Sequence, residues 1–302
     1  MLLLDTYSLV FRAFHALPEM NTSRGEATSA LYGFSVLLLK LLKEQRPSGL
    51  AFALDAPKRT FRHEQYAYYK GTRDRAPPPL VEQLRRLPTL LQALSVPLMC
   101  VPGYEADDVL ATLATQLSAR DERVLIVTGD RDLLQLVSDR VRVWFVGARG
   151  QKPVCFDPDK VVERFGVTPE RLPSFAALVG DVSDNLPGVR GVGPATAAKL
   201  VREFGTVDEI LAHVENVEPE RLRHALQENA AQVRLNEQLT RLRRDVPLPE
   251  GPLAGTPQAA AFAQLNQIFV ELEFRSLVPR LSALAPDALG PRPNEPEASE
   301  VV

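Results

Sequence analysis

The stretch GYEADDVLATLATQLSARDERVLIVTGDRDLLQLV, residues 103–137, decides the fold. Its first half carries Val109, Leu110, Leu113 and Leu117 at helical spacing and predicts a helix over about 106–119. Its second half, VLIVTG, is a continuous β-branched run that predicts a strand over about 123–128, buried on both faces. Acids flank both elements: Glu105, Asp107 and Asp108 open the helix, and Asp130 and Asp132 follow the strand. Helix and strand in alternation imply a parallel sheet, whose ligands bind in the crevice outside the strand ends.

Working outward, the same grammar recurs. Residues 2–4 (LLL) and 50–54 (LAFAL) predict two more buried strands, ending at Asp5 and Asp55, with others at 96–101 and 141–146. Helices are expected over about 8–17, 28–44 and 79–94. From Asp157 the pattern becomes helical, with segments at about 157–165, 169–179, 194–204, 206–213, 219–244 and 257–273. The expected fold is therefore α/β, a central mostly parallel sheet flanked by helices, followed by a helical region. The boundaries expected are 1–165 for the α/β core, 166–250 for the helical region, 251–281 for a helical extension and 282–302 for a Pro- and acid-rich tail.

Composition narrows the function. No run approaches the roughly 20 apolar residues of a bilayer crossing, and Asp5 interrupts the apolar start, so a membrane span and a signal peptide are not expected and a cytoplasmic location is. Cys100 and Cys155 are too few for a disulfide framework, and His15, His63, His213 and His224 are scattered away from the acids. The net charge is −3, yet setting aside nine acids, Asp5, Asp55, Glu105, Asp107, Asp108, Asp130, Asp132, Asp181 and Asp184, leaves a remainder of +6. Residues 58–75 hold six Lys/Arg against two acids, with four aromatics between them, a composition suited to phosphate contact and base stacking or to a solvated helical face.

Three strands delivering carboxylates to one rim concentrate negative charge that needs cations among it. An all-oxygen set without His or Cys suits Mg²⁺ or Mn²⁺ rather than zinc. Asp181 and Asp184 lie three apart, on one side if helical, or initiating a turn. The segment after them, GVRGVGPATAAKL (188–200), resembles a helix-hairpin-helix: Gly188, Gly191 and Gly193 allow close backbone approach, the helix starting at Pro194 offers its N-terminus to a phosphate, and Lys199 and Arg202 add charge.

Taken in order, LLLDTYSLVFRAFHAL (2–17), LDAPKRTFRHEQYAYYKGTR (54–73), GYEADDVLATLA (103–114), VTGDRDLLQLV (127–137) and LVGDVSDNLPGVRGVGPATAAKL (178–200) resemble the bacterial 5′-nuclease family. That family comprises the N-terminal nuclease domain of DNA polymerase I and the phage and bacterial flap endonucleases; FVELEFRSLVPRL (269–281) is similar to the polymerase segment beyond that domain. The resemblance implies a PIN-like core, a helical arch over about 58–85 and a helix-hairpin-helix over about 181–204. It implies a two-metal-ion phosphodiester hydrolase, cutting DNA at 5′ ends and flaps in primer removal and repair. Asp5, Asp55, Glu105, Asp107 and Asp108 would hold or orient a first Mg²⁺ and Asp130, Asp132, Asp181 and Asp184 a second, with Mn²⁺ as a substitute. Lys70 and Arg73, with Asp130 and Asp181, would carry the chemistry. Arg12, Tyr69, Lys70, Arg73, Gly191, Gly193, Lys199 and Arg202 would contact DNA, and the hairpin would hold K⁺. Tyr69 is read equally well as a base-stacking ring or as core packing beside Tyr66 and Tyr68. The implied partners are DNA with 5′ flaps, nicks or 5′ ends and RNA primer–DNA hybrids, with the protein a monomer at the nucleoid, fused to or acting with a DNA polymerase. Departures from the family pattern at 56–63 (APKRTFRH) and 146–153 (VGARGQKP) lie off the carboxylate rim and bear on substrate preference.

Overall fold

The computed structural model describes residues 1–57, 59–147 and 150–284. Six strands form one sheet: β1 (Leu2–Asp5), β2 (Leu50–Ala53), β3 (Leu98–Met99), β4 (Val124–Thr128), β5 (Val141–Phe145) and β6 (Val154–Phe156). Their order is β3-β2-β1-β4-β5-β6, with all pairs parallel except β5 with β6. Chain direction across the sheet reverses between β1 and β4, the position at which open α/β sheets leave a crevice.

Helices cover both faces: α1 (Thr6–Ala16), α2 (Ser29–Gln45), the short α3 (Phe61–Gln65), α4 (Pro78–Gln92) and α5 (Ala106–Ser118). Because side chains alternate along a strand, the run Leu2-Leu3-Leu4 serves two cores. Leu2 and Leu4 pack with α1, α2 and α4, whereas Leu3 faces α5 and the helical region. That region contains α6 (Pro158–Phe165), α7 (Leu172–Val179), α8 (Pro194–Phe204), α9 (Val207–Ala212), α10 (Glu220–Glu228) and α11 (Ala230–Thr240). Two further helices, α12 (Ala259–Glu271) and α13 (Val278–Ser282), return to the α2/α4 face. They and their connection bury Phe262, Leu265, Phe269, Phe274 and Leu281 there, and Gly255 exchanges both backbone hydrogen bonds with Leu50 at the start of β2.

Three differences from the sequence reading have physical causes. The single helix expected over 219–244 is two, broken at Asn229, whose amide donates back to Ala225 O and so competes with the helical ladder. The antiparallel edge strand β6 was not expected, being only three residues long. The basic segment is helical only in part: among its described residues Phe61–Gln65 is α3 and 67–72 form turns, and the expected arch over about 58–85 holds α3 and the start of α4. The expected tail lies, from residue 285, outside the described residues. Among the described residues no helix is long and apolar enough to cross a membrane.

Candidate active site

The site begins where β1, β2 and β4, neighbours in the sheet, terminate together. Asp5 is the last residue of β1, 3% exposed, and accepts a hydrogen bond from Thr128 Oγ1 at the end of β4 (2.6 Å). The same hydroxyl accepts from Asp130 N (2.8 Å), and Asp130 Oδ1 accepts from Asp132 N (2.9 Å), so one threonine sets the turn that presents both acids. Asp55 follows β2 and accepts from Ala106 N (2.9 Å), the first amide of α5, whose first turn carries Asp107. Arg12 on α1 donates to Gly129 O beside them and lies over the Phe145 ring.

These carboxylates are held in a state they do not favour. Burial, then the charges of Asp55 and Asp130, push Asp5 up to about 7 against its hydrogen bond from Thr128. Burial raises Asp107 and Asp132 well above the ordinary range, Asp107 further through Asp130 and Asp5, and Asp132 through Asp130, Asp184 and Asp181. Asp55 and Asp130 are raised as well, although Asp55 is solvent-exposed and Asp130 only half-buried, so the upward push on Asp55 is the weaker for its contact with water. Negative groups that raise one another's proton affinity in a confined rim are the electrostatic form of a cation site. The donor set is all oxygen, which fits hard divalent ions. Among the described residues no three His, Cys, Asp or Glu side chains close into a ready-made cage.

A second, cation-rich half faces this rim. Lys70 has a left-handed backbone (φ 54°), uncommon for a side chain of its size, and its N–H donates to Asp184 O (3.0 Å). Its Nζ pairs with Glu105 Oε1 at 3.0 Å, and Arg73 pairs with Asp184 Oδ1 at 2.7 Å while donating to Ser183 O. Burial alone would raise Glu105, but Lys70 and Arg62 beside it hold it below the usual carboxylate range. Asp181 and Asp184 sit in a turn, not a helix: Asp181 Oδ1 accepts from Ser183 N, Ser183 Oγ and Asp184 N. Gly180 enters that turn at φ 81°, and a Cβ there would lie 2.3 Å from Gly188 N. Gly180→Ala is therefore expected to lower the melting temperature by several degrees, roughly 1–3 kcal/mol for the backbone strain alone. It should also move Asp181 and Asp184 off the rim. Calorimetry beside a cleavage assay checks both.

The structure separates three expected site residues from the rest. Asp108 is fully buried with both oxygens occupied: Arg62 grips it at 2.6 and 2.8 Å, and Arg243 N and Glu105 N also donate to it. It is a scaffold carboxylate, because no oxygen is left to face an ion. Tyr69 is 3% exposed and donates to Glu105 and Asp184 (3.1 and 2.9 Å), so of its two readings packing holds and stacking does not; the neighbouring Tyr68 is 69% exposed. Arg202 donates to Gly166 O at the end of α6, which places it in a helix cap rather than beside the hairpin. By contrast Gly191 and Gly193 are exposed, a Cβ on either would meet nothing within 4 Å, and Lys199 is exposed on α8 one turn beyond them. Arg190, Gly191, Lys199 and Arg221 border a groove of about 780 Å³. Sequence reasoning missed Arg62 and Thr128. Arg62 was counted among the phosphate-contacting cations, and nothing local marks it as buried.

A family model described as 5′-3′ exonuclease, N-terminal resolvase-like domain, matches residues 1–166, and one described as 5′-3′ exonuclease, C-terminal SAM fold, matches 167–261. The chain belongs to the 5′-3′ exonuclease family. Within this family, the 5′-3′ exonuclease of Aquifex aeolicus is 39% identical over 276 residues, covering 91% of this chain and 93% of that protein. DNA polymerase I of Mycobacterium tuberculosis is 43% identical over 297 residues, 98% of this chain but 33% of the polymerase, so the chain spans about a third of such relatives. Among solved structures, a bacteriophage T5 flap endonuclease in a pseudo-enzyme-product complex with DNA and metal ions aligns with TM-score 0.67 at 20% identity, covering 94% of this chain and 98% of that one. T5 5′-exonuclease with bound zinc aligns with TM-score 0.64 at 21% identity, covering 96% and 98%. At that identity the likeness to the T5 structures concerns the exonuclease-family fold.

Proposed function

We propose that this chain is a structure-specific 5′ nuclease that hydrolyses DNA phosphodiesters at 5′ ends and flaps, leaving a 5′-phosphate and a 3′-hydroxyl. The observation that carries this reading is the crowding of mutually repelling carboxylates at three adjacent strand ends, opposite Lys70 and Arg73. Asp5, Asp55, Asp107, Asp130 and Asp132, with Glu105, Asp181 and Asp184 facing them, are the residues that would hold two Mg²⁺ ions, with Mn²⁺ as a substitute. When bound, the ions supply an acidified water and share the charge that develops on the phosphoryl oxygens.

The chain's own groups do the rest. Burial opposes the charge on Lys70, but Glu105 and Asp184 more than offset it and raise its pKa, so the ammonium is always present. Lys70 and Arg73 can exchange carboxylate for the scissile phosphate, Arg73 with a two-pronged fork. Asp5 and Asp55 are fixed by Thr128 and the α5 amide, and so stay in register as a strand enters. The hairpin at Gly191–Gly193 offers backbone N–H groups to a duplex phosphate, and K⁺ bound there would reinforce that grip. Nicks and RNA primer–DNA hybrids satisfy the same geometry, which suits a monomer working beside a polymerase in primer removal. Incubation of a 5′-labelled flap with Mg²⁺ or Mn²⁺ tests the reading: binding with no cleavage in either metal would overturn it in favour of a non-catalytic junction-binding module.

Two further outcomes are expected. Lys199→Ala should reduce the slope of log affinity against log salt by about 1 without a comparable loss of turnover, since it removes one phosphate contact. An unchanged slope in a fluorescence-anisotropy salt titration would contradict the hairpin assignment. Tyr68→Ala should weaken flap binding by about 1–3 kcal/mol, the scale of one lost base–aromatic stack, while Tyr68→Phe should not. Equal affinities of the two variants in Ca²⁺ would remove Tyr68 from the binding path.

A further inference from the structure

Arg62 is 1% exposed and lies at the junction of three elements. Its Nε donates to Leu239 O near the end of α11 (2.7 Å), its two terminal nitrogens clasp Asp108 on the first turn of α5, and one of them is 3.4 Å from Glu105 Oε2. The same stretch of chain is fastened again on each side. Gln135 donates to Thr240 O and accepts from Leu242 N, Arg243 N donates to Asp108, and Val246 N donates to Thr112 Oγ1. Residues 239–246 are thus stitched to α5 and to the turn after β4; Gln135 also donates to the backbone of Asp132, and Arg62 is the stitch whose side chain reaches a rim carboxylate, that of Glu105.

Apolar side chains of similar volume would hold such a junction at least as firmly as a buried ion pair. What they would not do is orient Glu105. One oxygen of Glu105 accepts from Lys70 Nζ and the other from Tyr69 OH, and the Arg62 guanidinium lies 3.4 Å from that second oxygen, so the three groups together set the plane of the carboxylate. We propose that Arg62 is a positioning residue: acting through Asp108 and Glu105, it sets the carboxylate presented to the divalent ion and ties that setting to the seating of α11. This rests on the nuclease reading above. Arg62 touches neither substrate nor ion.

The test separates positioning from packing. The double variant Arg62→Met/Asp108→Leu removes both buried charges together; because it also strips Leu239 O, Arg243 N and Glu105 N of these partners, it should melt below wild type by up to about 10 °C while still folding cooperatively. Its affinity for Mn²⁺, measured by calorimetry without DNA, should fall roughly 10–100-fold, the scale of losing an outer-shell partner. Its kcat on a 5′ flap should fall by a similar factor with KM within about threefold, and Arg62→Lys should lie between the two. Wild-type Mn²⁺ affinity and kcat in a folded double variant would overturn the proposal. If the double variant fails to fold, a folded Arg62→Lys with unchanged Mn²⁺ affinity would overturn it equally. Wild type that binds Mn²⁺ but never cuts DNA would defeat the nuclease reading instead, leaving the difference in Mn²⁺ affinity to decide the role of Arg62.

Discussion

Asp130→Ala is expected to lower flap cleavage by roughly 10³-fold or more, the scale of removing a group on which transition-state charge depends. Duplex affinity should stay within about twofold, because Gly191, Gly193 and Lys199 lie on a different part of the chain. Locally the substitution removes one turn hydrogen bond, from Asp132 N, which is worth only about 1 kcal/mol. It also removes one of the charges that push up Asp5, Asp107 and Asp132. The metal-free variant should therefore be at least as stable as wild type at pH 8. A structural carboxylate would give the opposite sign, loss of stability with activity kept. Asp181→Ala should be as inactive, but it also releases Ser183 and Asp184 N. Single-turnover cleavage beside calorimetry in chelator distinguishes these cases, and unchanged turnover of either variant would sink the two-ion assignment.

In chelator, the protein should melt lower at pH 8 than at pH 5. An acid whose pKa is higher in the folded state favours folding while both states are protonated. That advantage is lost as pH rises from the unfolded value near 4 through the folded one. For Asp5, with a folded value of about 7, the window is roughly pH 4–7 and the full loss is about 4 kcal/mol. Between pH 5 and pH 8 about 2.6 kcal/mol of that is lost, which at about 2 °C per kcal/mol for a chain of this size is a drop on the order of 5 °C. Asp107 and Asp132, raised for the same reasons, shift in the same direction. Millimolar Mg²⁺ or Mn²⁺ should abolish most of the difference by stabilising the ionised rim. A melting temperature independent of pH in chelator, or unmoved by either ion at pH 8, would show that the acids are not held against their preference.

The rim was legible because strand ends are. A buried apolar run that stops at an acid places that acid at the sheet edge wherever the rest of the chain goes, and Asp5, Asp55 and Asp130 needed nothing more. The partners of those acids were not legible. Arg62 meets Asp108 across 46 residues and Leu239 across 177, and no local pattern distinguishes it from Arg59 or Arg73. Tyr69 and Tyr68 are adjacent in a turn, where alternation does not say which ring faces inward. The break at Asn229 is hard to read for a related reason: no Gly or Pro marks it, only an amide that caps its own helix.

The larger apolar core runs without interruption from Leu3 and Val143 in the sheet through Val167, Phe175 and Leu200 to Val246 and Leu253. The boundary between the two family models, at residues 166 and 167, thus cuts through a shared interior rather than between two bodies. Recombination that exchanged one side for a distant homologue's would leave mismatched oily faces. The acidic rim and the glycine hairpin therefore lean on one interior, and an exchange of either half disturbs the packing beneath the other.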